Sequence, residues 1–343
     1  MNSTMTHLDE DERTLLIDSL RQLLQRNADG EPKDTWRQLT ELGLTQLARP
    51  SGAGGLREAT LALQELGRVS STAPLIGAVL ANLVAEEGGA LAPLLERLDA
   101  GDAGVAFAFA EFDGEANAGK VTLDGNKLSG CLRFVEGLPA VTDLLVPLAG
   151  ALAWVNIEAV GAQVTATPIL ATEPLHELVF DGAEVVTVAL APDTLNDLLT
   201  LAQFCATARA LGAARCALEE VIEYAKTRTQ FGQPIGRFQA IQHKLVNCFT
   251  SLEAIRLSSF HAAEQFDLGN PQWRFFATAT SAFASQALRQ VALEAHHTFG
   301  AIGYSEEHGM PSHFRRIHSD ALKHGGVRHA REALATRLLG ARL

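Results

Sequence analysis

Arg228-Thr229-Gln230-Phe231-Gly232-Gln233-Pro234-Ile235-Gly236-Arg237-Phe238-Gln239-Ala240-Ile241-Gln242 is a polar, glycine-punctuated stretch between two long segments of helical period. Gly232, Pro234 and Gly236 stop the preceding helix, because glycine frees the backbone and proline removes an amide donor. Within a few residues the stretch presents a guanidinium, an aromatic ring and several amides. A turn that only joined two helices would need none of them. These side chains read as ligand-facing, and the segments on either side set the fold around them.

From about residue 195 the helical period holds almost to the end. Leu211, Ala214, Leu218, Val221, Ile222 and Ala225 share one face, and Ile241, Leu245, Cys248, Leu252 and Ile255 repeat the pattern. Phe283, Ala287, Leu288, Val291 and Ala295 repeat it again, with Pro271 and the Gly300–Gly303 turn as punctuation. The spacing predicts a four-helix bundle. Upstream, helical patterns near 8–26, 35–48, 57–68, 74–86 and 90–98 make an all-α unit, broken by Gly52–Gly55. Between the two lie apolar runs that read as strands: 105–109, 120–123, 143–148, 153–157, 163–168 and 176–180. Asp124-Gly125 and Asp181-Gly182 read as turns between them. The expected fold class is α+β: an N-terminal helical domain over 1–100, a middle antiparallel β domain over 101–192, and a C-terminal helical bundle over 193–343.

Composition excludes several classes of function. With 343 residues, 47% hydrophobic, the chain can bury a sizeable core. A net charge of -12 argues against a nucleic-acid partner, since phosphate binding draws on clustered Lys and Arg. No uninterrupted apolar run approaches the roughly 18 residues of a membrane span. The polar, acidic Met1–Asp11 is unlike a signal peptide. Cys131, Cys205, Cys216 and Cys248 show no paired spacing, and a reducing cytoplasm is the simplest setting.

The opening stretch resembles the Arg-x-x-Phe-Gly-x-x-Ile-x-x-Phe-Gln-x-x-Gln signature of the acyl-CoA dehydrogenase family of flavoproteins. The resemblance extends over nearly the whole chain, with the same order of helical, β and bundle units. It implies FAD as cofactor and an acyl-CoA as substrate: the flavin takes a hydride from the β-carbon while a glutamate removes the α-proton. In that family the adenine and pyrophosphate end of each FAD is gripped by a neighbouring subunit. Carried over, Arg228 meets the pyrophosphate, Phe231 packs against the cofactor and Gln239 hydrogen-bonds it. The family's Gln-x-x-Gly-Gly-x-Gly loop is matched by His297-Thr298-Phe299-Gly300-Ala301-Ile302-Gly303. Gly300 and Gly303 are kept, while His297 and Ala301 replace a glutamine and a glycine.

The catalytic end departs from the family. Where some members place the base stands Ala202, followed by Gln203 in place of a substrate-binding arginine. The alternative base position, after Phe314-Arg315-Arg316, falls on His324. The flavin-contacting loop reads Ala110-Glu111-Phe112-Asp113-Gly114-Glu115, and the strand behind the flavin ring reads Phe134-Val135-Glu136, which sets a negative charge beside a ring that becomes anionic. The resemblance is to the short, non-catalytic subunit of heteromeric bacterial acyl-CoA dehydrogenases. Its implied partner is a catalytic dehydrogenase subunit, with a homo-oligomer as the other arrangement. A stand-alone flavoenzyme with His324 as its base is the alternative reading. No metal site is expected, because His308, His313, His318, His324 and His329 place no i, i+4 pair on one helix face. These histidines read as solvated or cofactor-edge groups, and Asp320 as a surface carboxylate.

Overall fold

The computed structural model describes residues 8–27, 30–50, 52, 54–85, 89–109, 120–138, 140–148, 150–167 and 175–340. Five helices come first: α1 (Glu10–Arg26), α2 (Pro32–Glu41), α3 (Leu56–Arg68), α4 (Leu75–Val84) and α5 (Ala92–Asp99). Asp9 and Glu12 close a capping box at the start of α1, each side chain accepting from the other's backbone amide. Eight strands follow: β1 (Val105–Phe107), β2 (Val121–Asp124), β3 (Lys127–Val135), β4 (Asp143–Leu148), β5 (Ala151–Asn156), β6 (Gln163–Thr167), β7 (Leu175–Glu184) and β8 (Val186–Ala189). The long helices α6 (Pro192–Thr227), α7 (Gln239–Asp267) and α8 (Trp273–Phe299) then lead to α9 (Met310–Leu322) and α10 (Gly326–Leu339).

The strands form two four-stranded sheets, ordered β1-β4-β5-β8 and β2-β3-β7-β6. Leu128, Leu132, Leu144, Val146, Val155, Leu178 and Phe180 fill a shared core. All pairings between these eight strands are antiparallel except β1 with β4, which run parallel from Val105↔Asp143 to Phe107↔Leu145. Asp124-Gly125 does open the β2–β3 hairpin, Asp124 facing Lys127. Asp181-Gly182, expected as a turn, lies inside β7 as a bulge. The register passes from Leu128↔Ala183 to Gly130↔Phe180, so two residues oppose Ser129, and Gly182 takes φ +65°. Strand β3 escapes a pattern reading because its burial does not alternate; Gly130 (φ +121°) and a second register shift before Val135 interrupt the period.

The bundle differs from four unbroken helices. Its last member is split into α9 and α10 by three consecutive left-handed residues, His324 (φ +52°), Gly325 (φ +85°) and Gly326 (φ +58°). The faces read from the sequence are otherwise mostly buried, with Ile222, Ile241 and Ala287 partly buried and Phe283 50% exposed. Helix α6 is the axis of the molecule, packing on α3, α7, α8 and α9. Its crossing with α3 is backbone to backbone. A Cβ on Gly67 would fall 1.8 Å from the Arg209 carbonyl oxygen, and one on Gly212 would fall 1.8 Å from that of Gln64. Asp267, ending α7, accepts the Leu56 and Arg57 amides at 2.7 and 3.0 Å and so caps α3 from a distant part of the chain. This packing fixes where Arg209 sits. Gly212→Ala is therefore expected to destabilise the fold by about 3 kcal/mol, the upper end of overpacking costs, read as a lowered urea unfolding midpoint. An unchanged midpoint would contradict the close crossing.

Candidate functional site

Two groups of candidate residues lie apart. The first is at the end of the bundle where α6 and α8 terminate. After α6, Thr229-Gln230 and Gln233-Pro234 pair as a tiny antiparallel hairpin, Gln230 facing Gln233. Its two central residues, Phe231 (φ +53°) and Gly232 (φ +80°), both take positive φ, as a type I′ turn requires. Glycine does so freely, whereas a phenylalanine there costs about 1–2 kcal/mol. The result is a ring held 93% exposed, braced on its inner side by Phe238 at 6.1 Å. An apolar ring kept in water at a strained turn points to a ligand or partner that covers it. Arg228 and Gln239 flank it, both exposed.

The second loop comes to the same end. Tyr224, one turn before Arg228, packs on Phe299, immediately before Gly300, with ring centroids 5.1 Å apart. Gly300 (φ +66°) has no atom within 4 Å of a built Cβ, so its backbone is open to an approaching group. At Gly303 a Cβ would lie 2.9 Å from that of Phe299, so the turn excludes a side chain there. His297 and Ala301 are exposed beside them. Arg228, Phe231, Gln239, His297, Gly300, Ala301 and Gly303 thus belong to one exposed end of the molecule. An exposed guanidinium, a presented ring and open loop backbone fit the adenosine diphosphate portion of FAD.

The second group is internal. Glu136, following β3, accepts from Arg316 Nη1 at 2.7 Å, lies 3.1 Å from Arg209 Nη2, and pairs with Lys323. Asp320 accepts from Arg209 Nε at 3.0 Å and Nη2 at 2.6 Å. Its side chain is 0% exposed, and those of Arg209 and Arg316 are 4% and 1% exposed. Two expectations are corrected here. Asp320 is no surface carboxylate, because helix α9 turns it onto Arg209. Glu136 presents no bare negative charge, because three cations surround it. The cluster joins the β region, α6 and α9 at one point, and Arg316 also reaches the Ser70 and Ser71 carbonyls after α3, at 3.4 and 3.3 Å.

Beside the cluster, Ala202 is fully buried. The Gln203 side-chain amide donates to the His324 carbonyl and, at 3.4 Å, to that of Gly326, so it staples the break between α9 and α10. His324 is 7% exposed, its ring edge-on to Phe109 with centroids 5.3 Å apart. It is neither solvated nor at the edge of an open site. The cleft bordered by Pro74, Gly77, Phe134, Glu136, Arg209 and His324 holds about 70 Å³, against roughly 300–1,000 Å³ for ordinary ligand pockets. Among the described residues, little room is left beside the two base positions. The loop Ala110–Glu115 lies outside the described residues.

Other titratable groups are held in their neutral forms. Burial lowers the pKa of His296, His318 and His329 below the ordinary histidine value. It pushes the Cys205 thiol up to about 12 and that of Cys248 to about 11, which leaves neither as a nucleophile at neutral pH. All four cysteines are free thiols. The structure also unites groups far apart in sequence, Cys216, Glu220 and His313, whose ligand atoms lie within 4.8 Å of one another. Histidine spacing along one helix could not reveal them, because α6 and α9 each contribute.

Among the described residues no helix is long and apolar enough to cross a membrane. A family model described as "Acyl-CoA dehydrogenase, C-terminal domain" matches residues 194–339. The acyl-CoA dehydrogenase IpdE2 of Mycobacterium tuberculosis is 30% identical over 330 residues, covering 91% of this chain and 92% of that protein. Among solved structures, a variant of the Tcur3481-Tcur3483 steroid ACAD superposes with TM-score 0.84 at 27% identity, covering 96% of this chain and 98% of that one. The ChsE4-ChsE5 complex of Mycobacterium tuberculosis shares the fold, with TM-score 0.80 at 24% identity and coverage of 98% and 99%. This chain belongs to the acyl-CoA dehydrogenase family.

The ion cluster makes a direct stability prediction. Asp320→Ala leaves the Arg209 guanidinium buried without its bidentate partner and should destabilise the protein by about 3–5 kcal/mol. Glu332→Ala, which breaks an exposed pair with Arg328, should leave the melting temperature nearly unchanged. Equal small effects of the two in thermal unfolding would show that Asp320 carries no such role.

Proposed function

We propose that this chain is the accessory subunit of a heteromeric acyl-CoA dehydrogenase, lending its exposed bundle end to the FAD of a catalytic partner. One observation carries the reading. Both positions where the family holds its base lack a carboxylate, and their surroundings are committed to structure: Ala202 is buried, while Gln203 and His324 build the α9–α10 break. Removing an α-proton needs a base within reach of the substrate. Ala202 carries no basic group, and the His324 ring is buried edge-on to Phe109. Bound FAD would supply the acceptor for the β-hydride. Arg228 would pair with its pyrophosphate, Phe231 would cover its adenine end, Gln239 would hydrogen-bond it, and His297 with the Gly300–Gly303 backbone would close the grip.

Further observations support a partner. Val246, Phe249 and Leu257 on α7 and Phe283 and Leu293 on α8 are exposed apolar side chains, more than an isolated bundle needs. The similarity to a steroid ACAD supports the CoA thioester of a steroid-derived acyl group as the substrate class, with most of the acyl pocket supplied by the partner.

The reading separates two mutations. In the complex isolated through a tag on this chain, Arg228→Ala should weaken FAD retention by about 10- to 100-fold, the worth of a charge-assisted contact of about 1.5–3 kcal/mol. His324→Ala, assayed for dehydrogenation of a panel of acyl-CoAs, should change turnover by well under about tenfold. A loss of about 10²–10⁴, the usual worth of a positioned base, at unchanged flavin content and melting temperature, would place the active site on this chain.

A further inference from the structure

Helix α6 carries Cys216 and Glu220 one turn apart, on a side that faces the first turn of α9. There His313 points back toward them. The Cys216 Sγ lies 3.6 Å from Glu220 Oε1, and His313 Nε2 lies 3.5 Å from the same oxygen. His313 is 5% exposed. None of these residues belongs to the exposed bundle end or to the Glu136 cluster, and the proposed subunit role uses none of them. We propose that Cys216, Glu220 and His313 form a binding site for a divalent transition-metal ion of the zinc class.

The distances favour a ligand set over an ion pair. A histidine–carboxylate pair joined by a charge-assisted hydrogen bond closes to about 2.7–2.9 Å. At 3.5 Å the His313–Glu220 pair is longer than that, while the Cys216 thiol donates to the same Glu220 oxygen at 3.6 Å, an ordinary length for sulfur. For a tetrahedral zinc ion, with bonds of about 2.3 Å to sulfur and about 2.0–2.1 Å to nitrogen and oxygen, the ligand edges come to about 3.6 Å (S···O) and about 3.4 Å (N···O). The two edges shared by Glu220 Oε1 already have those lengths. The third, between Cys216 and His313, is at most 4.8 Å and would shorten toward about 3.6 Å around an ion.

The polar bookkeeping agrees. Glu220 Oε2 is buried with no hydrogen-bond partner among the described residues, so the carboxylate keeps a second oxygen that an ion beside Oε1 could engage. The cysteine, histidine and carboxylate are ligands that suit zinc and its neighbours rather than calcium or magnesium. Gly309 faces the cluster: a Cβ built on it would lie 3.6 Å from both Glu220 Oε1 and His313 Nε2. With hydrogen in its place, a solvent-side position is left for a water as fourth ligand. The ion would clamp α6 to the start of α9, the helix that also carries Arg316 and Asp320.

The test uses the full chain, dialysed against a chelator and titrated with Co²⁺ and then Zn²⁺. One equivalent of Co²⁺ should bind and give a thiolate-to-cobalt charge-transfer band, which Zn²⁺ abolishes by displacement, and saturating Zn²⁺ should raise the melting temperature. Cys216→Ser should remove the band and weaken Zn²⁺ binding at least about tenfold, and Glu220→Gln and His313→Gln should weaken it similarly. Far-UV circular dichroism reports folding, and Cys216→Ser is the mild variant that keeps the test decisive if His313→Gln fails to fold. The absence of a stoichiometric metal equivalent, or binding that survives both Cys216→Ser and Glu220→Gln, would overturn the proposal.

Discussion

Arg209 is a guanidinium placed in the middle of the longest helix, and much of the molecule is arranged to keep it from being an isolated buried charge. Asp320 takes it bidentately from α9, and Glu136 adds a second carboxylate from the end of β3. Arg316 and Lys323 then compensate Glu136. Desolvating such charges costs several kcal/mol each unless they are paired and hydrogen-bonded. The network therefore persists only if helices, sheet and the chain after α3 meet in one register. The glycine-on-carbonyl crossing at Gly67 and Gly212 holds α6 to α3 at that point, Gly67 lying over Arg209's own carbonyl.

This constraint sets apart two regions of the molecule with opposite characters. Around the cluster the structure is closed, with the small Ala202 and the buried His324 ring at the family's base positions and little room between them. Just past the end of α6 the chain is open, with a phenylalanine held at positive φ and 93% exposed. A subunit that catalysed on its own would need the reverse arrangement in the first region. One that completes a neighbour's cofactor site needs the second region intact, and that is the region where the family signature survives.

How much of this was legible in the sequence depended on how local each signal is. The helices and most strands follow hydrophobic period, and the Arg228–Gln242 signature identified the family because its spacing is set within a single turn. Strand β3 was not legible, since Gly130 and a bulge destroy alternation. Nor was the split after α9, which rests on His324 adopting a conformation usually left to glycine. The ion cluster was misread because its members lie far apart in the chain. One trace of it was present: Arg209 is the lone charge between Asp197 and Arg215, a residue that must find a carboxylate if the helix is buried. Cys216, Glu220 and His313 left no such trace, because only the packing of α9 on α6 joins them.

The account's central claim is that this chain offers half of a flavin site and keeps the other half closed. The most direct measurement is the flavin content of the chain purified alone, incubated with excess FAD and separated by gel filtration. The account predicts well under one equivalent retained, with the ring unprotected from solvent. One tightly held FAD per chain, reduced on adding an acyl-CoA, would contradict it.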